Sequence, residues 1–273
     1  MALRSPLINV MDGAARKAAR GLLRDFGEVE QLQVSKKGPA DFVSRADRRS
    51  EQVIREHLQG ARPNFGFLME ESGETPGEPG APRWIVDPLD GTTNFLHGIP
   101  HFCISIAVED KGEIVSGLIH DPIRDETFWA DKGQGAYLND RRMRVSAREN
   151  LAQSVVATGI PHIGRGDHEQ YLKILALMMP SVAGIRRMGA AALDLVYVAA
   201  GRYDAYWEES LHIWDVAAGI LIVREAGGFV TDYSGASKMT ENGEIVAGND
   251  HVHAAFLKLI RSARTPGRMA RQS

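Results

Sequence analysis

The residues best suited to chemistry lie in one stretch, Trp84-Ile85-Val86-Asp87-Pro88-Leu89-Asp90-Gly91-Thr92-Thr93-Asn94-Phe95. Its apolar start predicts a buried strand over residues 84–86, which ends in Asp87, a proline and Asp90. Gly91 permits a backbone conformation that a side chain would forbid, and Thr92 stands where a helix could begin. Two carboxylates at a strand end, beside free N–H groups, favour a site for a hard cation and a phosphate together.

The same stretch has an alternative interpretation as a turn, because Asp-Gly and Asp-Pro are common in turns and loops. The longer string Asp-Pro-x-Asp-Gly-Thr arises by chance in roughly one chain of this length in several thousand. We therefore interpret the stretch as a site first and as a turn second.

Three further acidic residues lie at the ends of predicted elements. Glu70 follows an apolar strand over residues 65–69, and Asp215 lies in the first turn of a mostly apolar helix. Asp47 lies in the string Ser44-Arg45-Ala46-Asp47, which resembles a helix capping box. Each also has a structural interpretation: Glu70 in a solvated charge run, Asp215 as a helix cap, and Asp47 as a cap, which its spacing favours.

Together, Glu70, Asp87, Asp90 and Asp215 bring carboxylates from three separate places in the chain. Carboxylate and carbonyl oxygens, with no nearby Cys-x-x-Cys or His-x-x-x-His pattern, select Mg²⁺ or Mn²⁺ rather than zinc. Four carboxylates could hold two cations about 3.5–4 Å apart, which is the geometry of metal-assisted phosphoester hydrolysis. Without a cation, such acids would repel one another and some of their pKa values would rise.

The composition is that of an ordinary globular protein: 273 residues, 44 % hydrophobic, 25 % charged and a net charge of −3. That charge predicts no general attraction to nucleic acid. Cys103 is the one cysteine, so an internal disulfide is excluded, and its apolar surroundings predict a small core residue. No apolar run is long enough for a membrane span and the N-terminus shows no signal peptide, so we expect a cytoplasmic protein without a membrane partner.

The elements that must position these acids follow from the apolar periodicity. The predicted helices cover residues 9–26, 44–58, 169–178, 190–200 and 251–262, and a further, mostly apolar helix begins at 214 and ends near 227–228. The predicted strands cover residues 65–69, 84–86, 102–108, 114–119, 127–130, 135–138, 154–159, 205–209, 228–233 and 244–248. The predicted irregular parts are a hairpin tip or mobile loop over 34–43, with its turn at 38–39 and strand-like flanks, a loop at 75–83, a basic turn at 141–144 and a frayed tail from 264.

These motifs resemble those of the inositol monophosphatase family, which belongs to the lithium-sensitive, magnesium-dependent phosphatases. The matching strings are Glu70-Glu71-Ser72, the stretch 84–95, and Trp214-Asp215-Val216-Ala217-Ala218-Gly219. The resemblance extends from the first helix to about residue 260, and the run 186–208 is most similar to the bacterial members. It implies an α/β fold, a layered α-β-α-β-α sandwich of the inositol monophosphatase and fructose-1,6-bisphosphatase type. We expect one domain over 1–265, with halves divided at about residue 145, and a flexible tail over 266–273.

The resemblance also implies the ligands of two magnesium ions. Glu70, Asp87 and the carbonyl of Leu89 would hold the first ion. Asp87, Asp90 and Asp215 would hold the second. A weaker third cation near Glu70 is usual in the family, and Mn²⁺ is an alternative to Mg²⁺.

Catalytic and phosphate-binding roles follow from the same resemblance. The backbone N–H groups of Gly91 and Thr92 would bind phosphate. Thr92 and Asp47 would orient the water that the first metal activates, and together with Glu70 they form the implied catalytic set. Lys36 would lie on a mobile loop over the metals.

Asp90, Ala191 and Glu208 match the positions that contact sugar hydroxyls in the family. Two departures concern this side of the site. The loop over residues 159–167 does not match the animal enzymes, and Ala190 replaces a common Ser or Thr. Both departures bear on which substrate is used and leave the reaction unchanged.

The main hypothesis is a Mg²⁺-dependent phosphatase of myo-inositol monophosphate or a similar polyol or sugar phosphate, acting as a homodimer, the usual state of the family. The alternatives of the same class act on histidinol phosphate, fructose 1,6-bisphosphate or 3′-phosphoadenosine phosphate, and Glu208 favours a polyol. The alternative of another class is a regulatory binding protein of the transcription machinery. Its only hints are the basic segments 141–144 and 264–271, which are more simply a turn and a tail.

Overall fold

A computed structural model describes residues 4–27, 34–36, 42–162 and 164–264 of the chain, and for residues 34–36 and 42–44 it describes the backbone. The predicted hairpin tip at 38–39, the side chain of Lys36 and the predicted tail at 266–273 lie outside the described residues. The backbone that flanks the tip forms an antiparallel hairpin, as predicted.

The six predicted helices are confirmed, and two short ones join them. The bounds are α1 Pro6–Phe26, α2 Arg45–Ala61, α3 Thr92–Leu96, α4 His168–Met178, α5 Ala191–Ala199, α6 Ile213–Glu225, α7 Met239–Asn242 and α8 Asp250–Arg264. Helix α1 begins three residues before its predicted start because Ser5 Oγ accepts the Ile8 N–H at 3.2 Å and Pro6 occupies the first turn. Within the described residues, each helix is too short or too polar to span a bilayer.

The strands of the described ranges form three sheets. Their bounds are β1 Val34–Lys36, β2 Phe42–Ser44, β3 Gly66–Met69, β4 Gly73–Thr75, β5 Arg83–Asp90, β6 Cys103–Asp110, β7 Glu113–Asp121, β8 Glu126–Asp131, β9 Gly135–Leu138, β10 Arg141–Met143, β11 Val155–Thr158, β12 Gly184–Arg186, β13 Ala205–Glu208, β14 Phe229–Thr231 and β15 Ile245–Gly248. Strands β1 and β2 form the hairpin. The large sheet has the order β10-β9-β8-β7-β6-β5-β3-β4, and the small sheet has the order β12-β11-β13-β15-β14.

The two larger sheets alternate with three helical layers. Helices α1 and α2 pack on each other and cover one face of the large sheet. Helices α5 and α6 lie between the large and small sheets, where their almost wholly buried surfaces contribute to a shared core. Helices α4 and α8 cover the outer face of the small sheet. This is the predicted α-β-α-β-α sandwich.

Parallel pairing of β3 and β5 places the two acidic segments side by side. The registers Gly66↔Arg83 and Met69↔Val86 bring the C-terminal ends of both strands to the same edge. The chain therefore delivers Glu70, directly after β3, beside Asp87 near the end of β5. These two acids lie close together because β3 and β5 are adjacent strands of the sheet.

Three local predictions were wrong. Strand β5 does not end at residue 86, because its pairing with β6 continues to Asp90, with one extra residue between the pairs Asp87↔Ser105 and Asp90↔Cys103. Residues 141–144 are not a simple turn, since Arg141–Met143 pairs with β9 as an edge strand. The predicted loop at 75–83 begins within a short strand, β4, that pairs with β3.

Candidate active site

The irregular end of β5 is fixed by hydrogen bonds from its own residues and from α2. Asp87 Oδ1 accepts the Leu89 N–H at 2.9 Å. Pro88 cannot donate a hydrogen bond, and its carbonyl accepts the Ser50 hydroxyl at 2.8 Å. The extra residue lets Asp87 and Asp90 point into one region although they are three positions apart.

Glu70 is held at the same edge by backbone pairing. Its N–H donates to the Val86 carbonyl at 3.2 Å, and the next N–H, that of Glu71, donates to Glu51 Oε2 at 2.9 Å. The Glu70 side chain is within hydrogen-bond reach of Asp87, and this contact lowers the pKa of Glu70 against the effect of burial. The structure thus brings together two acids that the sequence separates by 16 intervening residues.

Asp215 joins this pair from the first turn of α6. Its Oδ2 accepts the His212 N–H at 2.7 Å, so it does cap the helix. Its charge also raises the pKa values of Glu70, Asp87 and Asp90. The structural and the functional interpretations of Asp215 are therefore compatible, because one carboxylate serves the helix start and faces the acidic cluster.

Burial and mutual repulsion dominate the electrostatics of the cluster. Burial, followed by the charges of Asp215 and Asp47, raises the pKa of Glu70 to about 8. Burial, followed by Asp215, raises the pKa of Asp90 to about 8. Burial, followed by Glu70 and Asp90, raises the pKa of Asp87 well above its usual range. The charged side chains that shift these three pKa values are all acidic, so the cluster has the charge and the oxygen donors that suit a hard cation.

Distances and electrostatics describe the cluster differently. In the described part of the chain, no three His, Cys, Asp or Glu side chains already form a cage that could hold a metal ion. The carboxylates are nevertheless close enough to shift one another's pKa values. The two observations agree, because uncompensated carboxylates repel one another and need not stand at ligand distances. The oxygen-only donor set fits magnesium.

The turn after β5 requires glycine. Gly91 has φ = 90°, and a Cβ there would lie 3.0 Å from the carbonyl oxygen of His101 and 3.3 Å from Phe102. Helix α3 begins directly after it. Asn94 Nδ2 donates to the carbonyls of His101 and Met188, each at 2.8 Å, and so ties this turn to the segment before α5. The implied phosphate site at Gly91 remains a prediction.

Asp47 and Thr92 border the cluster from two sides. Asp47 is buried in the first turn of α2, and its charge contributes to the raised pKa of Glu70. Thr92 Oγ1 donates to the Leu89 carbonyl at 3.0 Å, so the lone pairs of this hydroxyl remain available. The structure brings both residues to the cluster, and their role in orienting a water remains a prediction.

The residues that the resemblance places at the sugar hydroxyls are Asp90, Ala191 and Glu208, and they lie on the side of the site that faces the small sheet. Glu208 ends β13, and its Oε2 accepts the Tyr206 hydroxyl at 2.5 Å. Burial raises the pKa of Glu208 to about 7. Ala191 is the first residue of α5, and the next N–H, that of Ala192, donates to Asp90 Oδ2 at 2.8 Å. Asp90 thus links the acidic cluster to this side of the site.

Sequence reasoning missed three neighbours of these groups. Cys103 is buried as predicted, but its Sγ also lies 3.7 Å from Asp90 Oδ2. Arg187 and Arg165 are close enough to Glu208 to lower its pKa against the effect of burial. The pairing of β6 with β5 would have predicted the contact between Cys103 and Asp90. No sequence pattern singles out either arginine.

The five-layered architecture is shared with solved enzymes of the inositol monophosphatase and fructose-1,6-bisphosphatase class. A solved inositol monophosphatase from Thermotoga maritima is 34 % identical, covers 92 % of this chain and 95 % of its own, and superposes with a TM-score of 0.83. The chain belongs to the inositol monophosphatase family, whose sequence pattern matches residues 3–265. It is accordingly a phosphatase, and the predicted family and fold class are confirmed.

More similar relatives carry two kinds of name. The inositol-1-monophosphatase of Rhizobium meliloti is 58 % identical over 94 % of this chain and 97 % of its own length. The Nus factor SuhB of Pseudomonas aeruginosa is 44 % identical over 96 % of this chain and 98 % of its own. The solved extragenic suppressor protein suhB of Bartonella henselae is 57 % identical over 94 % of this chain and 99 % of its own, with a TM-score of 0.92.

Proposed function

We propose that this phosphatase hydrolyses a phosphate monoester of myo-inositol or of a similar polyol with the help of Mg²⁺. The observation that carries the proposal is the cluster of Glu70, Asp87, Asp90 and Asp215, in which burial and the neighbouring acids raise the pKa values of Glu70, Asp87 and Asp90. Such a cluster is stabilised by a bound cation, and the family is generally magnesium-dependent. The relatives named inositol-1-monophosphatase support the polyol as leaving group.

The four carboxylates and the Leu89 carbonyl would hold the magnesium. Bound there, magnesium supplies Lewis acidity, counter-charge for the phosphate and a lowered pKa for the attacking water. The chain's own groups then bind and orient the reactants. The N–H groups of Gly91 and Thr92 point at the phosphate oxygens, the Thr92 hydroxyl and the Asp47 carboxylate accept hydrogen bonds from the attacking water, and Asp47 takes its proton.

Glu208 favours a polyol over the alternatives. Its carboxylate accepts hydrogen bonds from hydroxyl groups, and its charge contributes to the raised pKa of Asp90. Histidinol phosphate, fructose 1,6-bisphosphate and 3′-phosphoadenosine phosphate would use the same chemistry at the cluster. These three esters differ in the chemical groups that they would place beside Glu208, so assays with a panel of substrates distinguish between them.

Phosphate release from a panel of esters tests the proposal. The panel holds inositol 1-phosphate, glycerol 2-phosphate, histidinol phosphate, fructose 1,6-bisphosphate and 3′-phosphoadenosine phosphate, each assayed with Mg²⁺, with EDTA and with added Li⁺. We expect Mg²⁺-dependent release, greatest with inositol 1-phosphate. Asp87→Asn should abolish it, whereas Asp140→Asn, on an exposed turn, should not. If folded wild-type protein releases no phosphate from any ester with Mg²⁺, the proposal fails.

A second role, at the transcription machinery, is favoured by one observation: several relatives at 42–44 % identity are named Nus factor SuhB. Such a role would use the outer surface and would survive Asp87→Asn. Binding of the wild type and of Asp87→Asn to purified transcription complexes tests it, with equal binding expected. If neither protein binds, this role is excluded.

We also infer a homodimer. The supporting observation is an exposed apolar strip on and after α4, where Leu172 and Met179 are each 61 % exposed and Leu177 is 37 % exposed. Light scattering after size exclusion should give twice the chain mass of 29.9 kDa. The double variant Leu172→Glu, Met179→Glu should shift the protein towards the monomer.

A further inference from the structure

A narrow cleft opens beside Glu208, in the region where the sequence departs from the animal enzymes. Its volume is about 20 Å³. The polar groups that line it come from the loop after β11 and from the end of β13, and they include His162, Arg165, Glu208, Glu209 and Ser210. The proposed chemistry at the acidic cluster gives no role to the residues of this loop.

Hydrogen bonds hold the loop against the end of β13. The Asp167 N–H donates to Glu209 Oε1 at 2.7 Å, and one Arg165 guanidinium nitrogen donates to the Ser210 carbonyl at 3.3 Å. Within the loop, the Arg165 N–H donates to the His162 carbonyl at 2.9 Å. These contacts place the Arg165 side chain over the cleft while leaving most of its five N–H donors for another acceptor.

Gly159 allows the loop to pass directly over Glu208. A Cβ at residue 159 would lie 1.9 Å from the carboxyl carbon of Glu208, so any other residue type would displace that carboxylate. The Tyr206 hydroxyl fixes the carboxylate from the other side through Oε2. Glu208 is thus clamped between a backbone that carries no side chain and a tyrosine, and its orientation towards the cleft is set.

The charges around the cleft are complementary. Arg165 and Arg187 both stabilise the ionised form of Glu208 against the effect of burial. A group that enters the cleft therefore meets a carboxylate acceptor and a guanidinium donor. A hydroxyl group satisfies both at once, since it donates through its hydrogen and accepts through its lone pairs.

The size of the cleft decides between a hydroxyl group and a second phosphate. A cavity of roughly 10–15 Å³ holds one water. At about 20 Å³ the cleft has room for one hydroxyl oxygen, and not for a phosphorus atom with its four oxygens. Charge alone would let Arg165 attract a phosphate, so the volume of the cleft is the observation that favours a hydroxyl group.

We propose that Arg165 and Glu208 together bind one hydroxyl group of the leaving group, and that the Arg165 loop selects polyol monophosphates over sugar bisphosphates. The inference rests on the proposed phosphatase function and deepens it. Arg165 becomes a specificity-determining residue that the family motifs do not contain. Its hydrogen bond forms with the bound ester, so its loss should appear mainly in KM.

The test compares two esters on the same protein. Inositol 1-phosphate has ring hydroxyls for the cleft, whereas para-nitrophenyl phosphate has none. For Arg165→Ala, the ratio of kcat/KM for inositol 1-phosphate to that for para-nitrophenyl phosphate should fall about tenfold, as expected for one hydrogen bond from a charged donor. Arg165→Lys keeps the charge without the planar fork and should give an intermediate ratio. Arg20→Ala, an exposed arginine on α1, is the matched control and should leave the ratio unchanged.

Three results would overturn the inference while leaving the phosphatase in place. They are an unchanged ratio in Arg165→Ala, an equal loss with both esters, and a selective loss of activity on fructose 1,6-bisphosphate, which would show that Arg165 binds a phosphate. Should Arg165→Ala fail to fold, Arg165→Lys and Arg165→Gln decide by the same ratio. Absence of Mg²⁺-dependent hydrolysis of either ester by the wild type would instead contradict the proposed function.

Discussion

Binding of magnesium should release protons from the acidic cluster. In the metal-free protein, burial and the neighbouring acids raise the pKa values of Glu70 and Asp90 to about 8, and that of Asp87 well above its usual range. A carboxylate must be ionised to bind a hard cation. Near neutral pH, the cation therefore has to displace protons that the cluster holds, and the number displaced reports how strongly the acids are coupled.

The magnitude follows from the two pKa values. A group with a pKa of about 8 is protonated in roughly nine molecules of ten at pH 7, so Glu70 and Asp90 together release about two protons per site. At pH 9 the same groups are protonated in roughly one molecule of ten, so their share of the release falls to about 0.2. The raised pKa of Asp87 adds to the total release at both pH values. Since the acids titrate as a set, these numbers belong to the cluster rather than to one residue. Below pH 7, Glu70 and Asp90 alone should make the apparent affinity for Mg²⁺ fall about hundredfold per pH unit.

Isothermal titration calorimetry measures this release directly. Mg²⁺ is titrated into metal-free protein at pH 7 in several buffers, and the slope of observed enthalpy against buffer ionisation enthalpy gives the number of protons. The titration is repeated at pH 9. Asp140→Asn, outside the cluster, is the control and should match the wild type. A release below about 0.5 proton at pH 7, or the same release at both pH values, would refute the argument that burial and repulsion hold the cluster protonated.

Three further predictions concern stability and the geometry of the site. In EDTA, the pKa values of Glu70 and Asp90 are higher in the folded protein than in the unfolded chain, so the folded protein binds more protons between about pH 4 and 8. The free energy of unfolding, measured by urea denaturation, should therefore fall as pH rises through this range. Added Mg²⁺ should reverse that trend. Gly91→Ala should cost about 1–2 kcal/mol in unfolding free energy and lower kcat, because the residue has φ = 90° and a Cβ would press on the His101 carbonyl; an unchanged denaturation midpoint would contradict this. Asp194→Asn should stabilise the protein more at pH 8 than at pH 5, by up to about 1.4 kcal/mol per pH unit. The reason is that burial, followed by the charge of Glu208, raises the pKa of Asp194, whose two carboxyl oxygens have no hydrogen-bond partner among the described residues.

Sequence periodicity predicted the longer elements because each buries one side against a neighbouring layer. The six longer helices and the strands β6 to β8 lie within a few residues of their predicted positions. Elements that depend on pairing rather than on periodicity were wrong or missed. Residues Arg141–Met143 have no apolar alternation, and they form a strand because β9 presents a free edge to pair with. Helix α7, with four residues, is too short to show a helical period.

The acidic side chains of the site were predictable individually, but the coupling between them was not. The acidic end of β5 and the acidic first turn of α6 are visible in the sequence, since each is a change from apolar to acidic residues. That β3 pairs in parallel with β5 depends on the strand order of the large sheet, and that α6 begins beside β5 depends on packing between two layers. Sequence alone could therefore name the acids and could not determine their pKa values.

Glu208 shows why the other half of the site was the harder part to predict. The resemblance points to this position, but its environment comes from a glycine at 159, a tyrosine two residues earlier and an arginine in a loop with no recognisable pattern. Each of these residues affects the position or the pKa of Glu208 through its shape or its charge, and none of them belongs to a motif. The proposed reaction depends on the acidic cluster, whereas the proposed choice of leaving group depends on the loop around Arg165. Substitutions in that loop should therefore change which ester is preferred and leave the proposed magnesium dependence of hydrolysis unaltered.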